Sequence, residues 1–66
     1  MEIVLNGQSK SLDGPLSVAG LVESLGFAGK RIAVERNGEI VPKSAYDQTM
    51  ISPGDRFEIV VAVGGG

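Results

Sequence analysis

Apolar and polar positions alternate at the start of the chain: Ile3 and Leu5 share one face at period 2, with Glu2 and Val4 on the other. This pattern predicts a strand over residues 2–5 and a partner over 8–12. Asn6-Gly7 joins them, the pair best suited to a two-residue type I′ turn, whose central positions both take positive φ. After Asp13-Gly14-Pro15 the period changes. Val18, Leu21, Val22 and Leu25 stand at i, i+3, i+4 and i+7, the apolar stripe of a helix. Ser17 is placed to cap its first free amides, and Gly26 to end it as a left-handed C′ residue. Gly20 weakens that helix by up to about 1 kcal/mol relative to Ala, so packing must hold it.

A second Asn-Gly pair, Asn37-Gly38, separates residues 31–36 from 39–41 and predicts a second hairpin. Its two-residue loop sets the register: Arg36 faces Glu39 and Val34 faces Val41, an opposite-charge pair and a β-branched pair on one face. Pro42 ends the strand because it has no amide to donate. Residues 43–52 read as an irregular crossing anchored by Tyr46, Met50 and Ile51. Ser52-Pro53-Gly54-Asp55 fits a type II turn, with proline at i+1 and glycine at i+2. It launches a last strand over 56–63, with Phe57, Ile59, Val61 and Val63 on one face and Glu58, Val60 and Ala62 on the other. The order is hairpin, helix, hairpin, crossing and strand, so one amphipathic helix covers one mixed sheet. That is an α+β two-layer fold: one domain over residues 1–63, then a flexible glycine tail, 64–66.

Composition narrows the chemistry. A chain of 66 residues buries only about 60% of the surface its unfolded form exposes, which leaves no room for a deep cleft. It has no Cys and no His, which removes disulfides, cysteine-held clusters, thiolate nucleophiles and the commonest metal ligands and general base. No catalytic or metal-binding residue is therefore expected. The six Lys and Arg against eight Asp and Glu give a net charge of -2. Lys10, Lys30, Arg31, Arg36, Lys43 and Arg56 are scattered along the chain, so nucleic acid is not an expected partner. The apolar runs are far shorter than the roughly 20 residues that cross a bilayer, and the N-terminal residues do not resemble a secretion signal. The expectation is a cytoplasmic protein, off the membrane and monomeric when free.

Gly64-Gly65-Gly66 follows directly on a strong strand. Terminal glycines admit a bland reading, a frayed end. They also admit a functional one. A carboxylate that another enzyme must act on has to thread into that enzyme's site, and residues without side chains fit the narrowest channel. A free carboxylate acylates poorly, so this reading requires activation, most simply by ATP to an acyl-adenylate. The chain has no phosphate-cradling Gly-x-x-x-x-Gly-Lys-Ser/Thr spacing, so a partner must supply the catalysis.

Several segments together resemble the ThiS family of thiamine-pathway sulfur carriers. They are Ile3-Val4-Leu5-Asn6-Gly7, the helix from Val18 to Leu25, the block from Ile32 to Ser44 (IAVERNGEIVPKS), Gly54 to Val60, and the closing glycines. The resemblance covers essentially the whole chain, with one departure: the family typically ends in two glycines, and Gly64 adds a third. It implies a ubiquitin-like β-grasp fold, a five-stranded mixed sheet of order 2-1-5-3-4 packed on one helix, with the first and last strands parallel at the centre. It also implies a carrier rather than an enzyme, with no permanently bound cofactor. An E1-like, ThiF-like adenylyltransferase would use ATP to adenylate the Gly66 carboxylate. Sulfur from a cysteine-derived persulfide, made by a cysteine desulfurase or related donor, would replace AMP. The thiocarboxylate would then supply a ThiG-like thiazole synthase, with Gly64 and Gly65 threading into the partners' sites.

Three other functions fit the same residues. The small subunit of molybdopterin synthase also carries a terminal thiocarboxylate; a ubiquitin-like modifier would join the activated terminus to lysines; a non-reacting binding module would leave the glycines idle. On the sheet's outer face Val60 and Ala62 form an apolar strip, open for docking or covered by the crossing segment through Tyr46. Glu39, Asp47, Asp55 and Glu58 are candidates for an acidic docking surface, against the ordinary reading of solvated charge.

Overall fold

Both Asn-Gly pairs turn the chain as their chemistry demands. The computed structural model describes residues 1–62. In it Asn6 and Gly7 have φ of 50° and 81°, and Asn37 and Gly38 have 51° and 88°, the double positive φ of type I′ turns. The first turn joins β1 (Glu2–Leu5) to β2 (Gln8–Ser11) and the second joins β3 (Ile32–Arg36) to β4 (Glu39–Val41). The β3–β4 register places Arg36 opposite Glu39 and Val34 opposite Val41, as the two-residue loop requires.

Helix α1 (Val18–Ser24) starts at Ser17, whose Oγ accepts the Gly20 amide at 3.0 Å. It gives way at Leu25, and Gly26, at φ 79°, turns the chain out. Gly20 has a packing reason for its place: a Cβ there would stand 2.6 Å from Leu16 Cδ1. The missing side chain lets Leu16 fold over the first turn and join the core.

Strand β5 (Arg56–Val61) lies in the middle of the sheet, whose order is β2-β1-β5-β3-β4. It runs parallel to β1 and antiparallel to β3. Helix α1 covers one face, and Ile3, Val18, Leu21, Val34 and Phe57 are each almost completely buried between the layers. The predicted α+β architecture and the strand order implied by the family resemblance are both present. Leu12 is buried but lies past β2, its amide donating to the Met1 carbonyl at 2.7 Å. Val63, expected on the inner face, falls outside the described residues.

The crossing segment differs from expectation at two points. It holds a short 3₁₀ turn, Lys43–Ala45, so it is not wholly irregular. Ile51 anchors it in the core and Tyr46 packs half-buried against that core, but Met50 is 52% exposed and anchors nothing. Backbone bonding explains this: Met50 bridges to Ser17 and the Ile51 amide donates to Leu16, so the alternation turns Ile51 inward and Met50 outward. Among the described residues no helix is long and apolar enough to cross a membrane.

Candidate functional site

The candidate tail residues follow β5, so the site is built on how firmly that strand is held. At its start, Asp55 is only 7% exposed. Its Oδ2 accepts the Ser52 amide at 2.8 Å and Arg36 Nε at 2.9 Å, and its Oδ1 accepts Asn37 Nδ2 at 3.1 Å. Arg36 Nη2 completes an ion pair with Oδ2 at 2.9 Å. Burial pushes the Asp55 carboxyl up, but the Ser52 amide, the Asn37 amide and the bond and charge of Arg36 together outweigh it. They hold it below the ordinary value of 3.8. The Asp55 carbonyl accepts the Val4 amide at 2.9 Å, which ties this corner to β1 as well.

One expectation is corrected here. Asp55 is no part of an exposed acidic surface, because its carboxylate is consumed inside the molecule; Glu39, Asp47 and Glu58 are exposed. Arg36 faces Glu39 in register, as the loop requires, and its guanidinium pairs with Asp55, which partial burial and two other donors, the Ser52 amide and Asn37 Nδ2, hold in place.

Both turn asparagines hold β5 along its length. Asn37 Oδ1 accepts the Arg56 amide at 2.9 Å, and Asn6 Oδ1 accepts the Ile59 amide at 2.9 Å. At the far end Val61 pairs with Ile32, and the Ala62 amide donates to the Arg31 carbonyl at 2.8 Å. The strand is thus bonded on both sides as far as Ile59 and to β3 and Arg31 alone at the end nearer the glycines. Gly64, Gly65 and Gly66 themselves lie outside the described residues.

The outer face of the sheet is open. Val60 is 63% exposed, and Ala62 and Glu58 are exposed with it. Tyr46 does not cover them, since it packs on the core side, where its carbonyl accepts the Ala19 amide of α1. Sequence reasoning missed three members of this face. Ala33 pairs with Val60, Glu35 pairs with Glu58, and Ile40, 64% exposed, pairs with Glu35. The β3–β4 register already placed Glu35 opposite Ile40, but joining them to Val60 required the register of β3 against β5. Glu35 opposite Glu58 is a like-charge pair, which costs stability. Among the described residues the one ion pair is Arg36–Asp55, so no cation bridges these two carboxylates.

The sequence model of the ThiS family matches residues 3–66. A thiazole synthase from Paramagnetospirillum magneticum is 44% identical over 66 residues, all of this chain and 20% of that protein. The chain spans about one fifth of the length of the thiazole synthases it matches, that of Magnetococcus marinus being 36% identical over the same span. The uncharacterized protein ycf40 of Porphyra purpurea is 36% identical over all of this chain and 93% of its own length. Among solved structures, the crystal structure of the thiamine biosynthesis protein ThiS from Geobacter metallireducens superposes with a TM-score of 0.85 at 35% identity, covering 100% of both chains. The solution structure of a thiamine biosynthesis protein from the same organism gives 0.83 and covers 88% of that chain.

Proposed function

Because this chain belongs to the ThiS family, whose members are small sulfur carriers in thiamine biosynthesis, we propose that it carries sulfur on the carboxylate of Gly66. An E1-like adenylyltransferase joins that carboxylate to AMP from ATP, releasing pyrophosphate. Persulfide sulfur from a cysteine desulfurase or related donor then displaces AMP to give an acyl disulfide. A second thiol from the partners cleaves its S–S bond and is itself oxidised to a disulfide with the donor, and the released thiocarboxylate hands its sulfur to a thiazole synthase. The chain supplies the carboxyl group and the surfaces that present it, while the partners supply catalysis and nucleotide binding. Residues 1–63 act as the folded body, and Gly64 and Gly65 thread the terminus into each partner's site.

The observation that carries this reading is the placement of β5 between β1 and β3, with the glycines beginning three residues after its last residue in sequence. Three glycines let the carboxylate reach at most about 10 Å beyond Val63. Similarity to a segment of proteins named thiazole synthase supports the choice of acceptor, since carrier-like and synthase sequences share one polypeptide there. The open face of Val60, Ala62, Glu58, Ala33, Glu35 and Ile40 serves as the docking surface. It combines exposed apolar side chains with an unfavourable Glu35–Glu58 pairing that the fold does not need, and a partner's cation would relieve that pairing.

Intact-protein mass spectrometry tests the reading. The chain is incubated with the adenylating enzyme, ATP, cysteine and a desulfurase, all shown active on a known carrier. One oxygen replaced by sulfur at Gly66 is expected, and an unchanged mass refutes the carrier role. Removing Gly65 and Gly66 should abolish the product while leaving the fold intact; retained function after that deletion would favour a binding module.

A further inference from the structure

Cations that are scattered in sequence meet at one place in the fold. A groove of about 530 Å³ runs between α1, the loop after it and the 3₁₀ turn, and Lys30, Arg31 and Lys43 all line it. The β3–β4 hairpin causes this: it carries the chain away from Arg31 and returns it to Lys43 beside the start of β3. The groove holds three of the six Lys and Arg but only two of the eight Asp and Glu, namely Glu23 and Asp47. It is therefore net positive on a chain whose net charge is -2. All three cations are exposed, and none forms an ion pair within the described residues.

Two further features bear on what this groove takes. Its walls include Phe27 and Tyr46, both half-buried, with Val22 beneath them, so it offers an apolar socket as well as charge. It also adjoins the root of the tail, since the Arg31 carbonyl that accepts the Ala62 amide belongs to a residue lining it.

We infer that this groove docks an acidic segment of the enzyme that engages the tail: carboxylates meet Lys30, Arg31 and Lys43, and one apolar residue enters between Phe27 and Tyr46. The identity of that enzyme rests on the proposed function; the chemistry of the groove does not. The groove shares no lining residue with the open sheet face, although the two meet where Arg31 bonds to Ala62. Steering by rim charges acts on association more than on the bound state, so the groove sets how readily the carrier is captured rather than how fast it is adenylated.

Two measurements decide it. An NMR titration of the labelled chain uses a short peptide of Glu flanking one Leu, with inorganic phosphate at matched ionic strength as the comparison. Shifts at Lys30, Arg31, Ile32, Lys43 and Tyr46 with the peptide and not with phosphate are expected. Equal response to phosphate, or shifts centred elsewhere, overturns the assignment, and neither result depends on whether the chain accepts sulfur. In adenylation kinetics, the triple variant Lys30→Glu, Arg31→Glu, Lys43→Glu should raise KM for the carrier by about tenfold with kcat changed less than about twofold. The salt dependence of KM should also flatten in that variant, and the triple Gln variant should fall between it and the native chain. An unchanged KM in a variant whose circular dichroism matches the native chain overturns the proposal.

Discussion

Asn6 and Ile59 exchange two hydrogen bonds across the middle of the sheet: the Ile59 amide donates to Asn6 Oδ1 at 2.9 Å, and Asn6 Nδ2 donates to the Ile59 carbonyl at 3.3 Å. The side-chain amide thereby acts as one more residue of ladder, extending β1 along β5 after the backbone of β1 has turned away. Asn6 meets two demands at once, positive φ for the turn and a peptide-like side chain for the strand. Asn6→Gly separates them, since glycine keeps the turn and loses both bonds. A loss of about 1–2 kcal/mol in urea unfolding is expected; stability equal to the native chain would show that the turn alone selects asparagine.

Asp55 makes stability depend on acid. Its folded value lies below 3.8, so the unfolded chain takes up its proton first as pH falls. Its contribution is fully present above the unfolded value and is lost as pH drops through the folded one. Melting temperature should be flat with respect to this group near neutrality and should decline below about pH 4. Asp55→Asn removes that part of the decline and costs about 2–3 kcal/mol at neutral pH, because Arg36 loses its counter-charge. A variant with an unaltered acid slope would assign the pH dependence to other carboxylates.

Ser17→Ala leaves the Gly20 amide without its acceptor. About 1 kcal/mol of destabilisation is expected by chemical denaturation, and Ser17→Asp should restore most of it. The effect should be visible in full, since α1 has only seven residues and no acidic side chain in its first turn to compensate.

Val60→Glu places a third carboxylate beside Glu35 and Glu58 on an exposed face. Folding stability should change by less than about 0.5–1 kcal/mol. Affinity for the adenylating enzyme or the synthase, measured by calorimetry, should fall by more than about tenfold. Unchanged affinity for both would remove this face from the docking role.

The features legible in sequence are those whose chemistry is local. Asn37-Gly38 predicts its turn and the facing of Val34 and Val41, Ser17 predicts a cap, and Gly54 at φ 84° is the i+2 glycine of the expected turn. The Asp55 cluster and the open sheet face escaped because β5 brings both hairpins together. Asp55 looked like surface charge because its donors, Arg36 and Asn37, are 19 and 18 residues away in the chain. Met50 looked like an anchor because hydrophobicity alone does not tell which of two adjacent apolar residues an irregular segment turns inward. On the candidate site, Val60 and Glu58 were readable from the alternation of the last strand, while Ala33, Glu35 and Ile40 needed the β3–β5 register. The cationic groove needed the packing of α1 and the 3₁₀ turn beside the start of β3, which no spacing of basic residues announces.

The strand that leads to the tail sits between two ladders, one parallel and one antiparallel, and this governs how the molecule bears mechanical load. An enzyme that grips the glycines and draws on them pulls along β5, across the direction of its hydrogen bonds. The bonds to β1 and β3 are then loaded in shear and share the force, whereas an edge strand peeled from its end would surrender them one at a time. Tension applied beyond the strand is thus borne by two ladders together and does not draw the body of the domain apart.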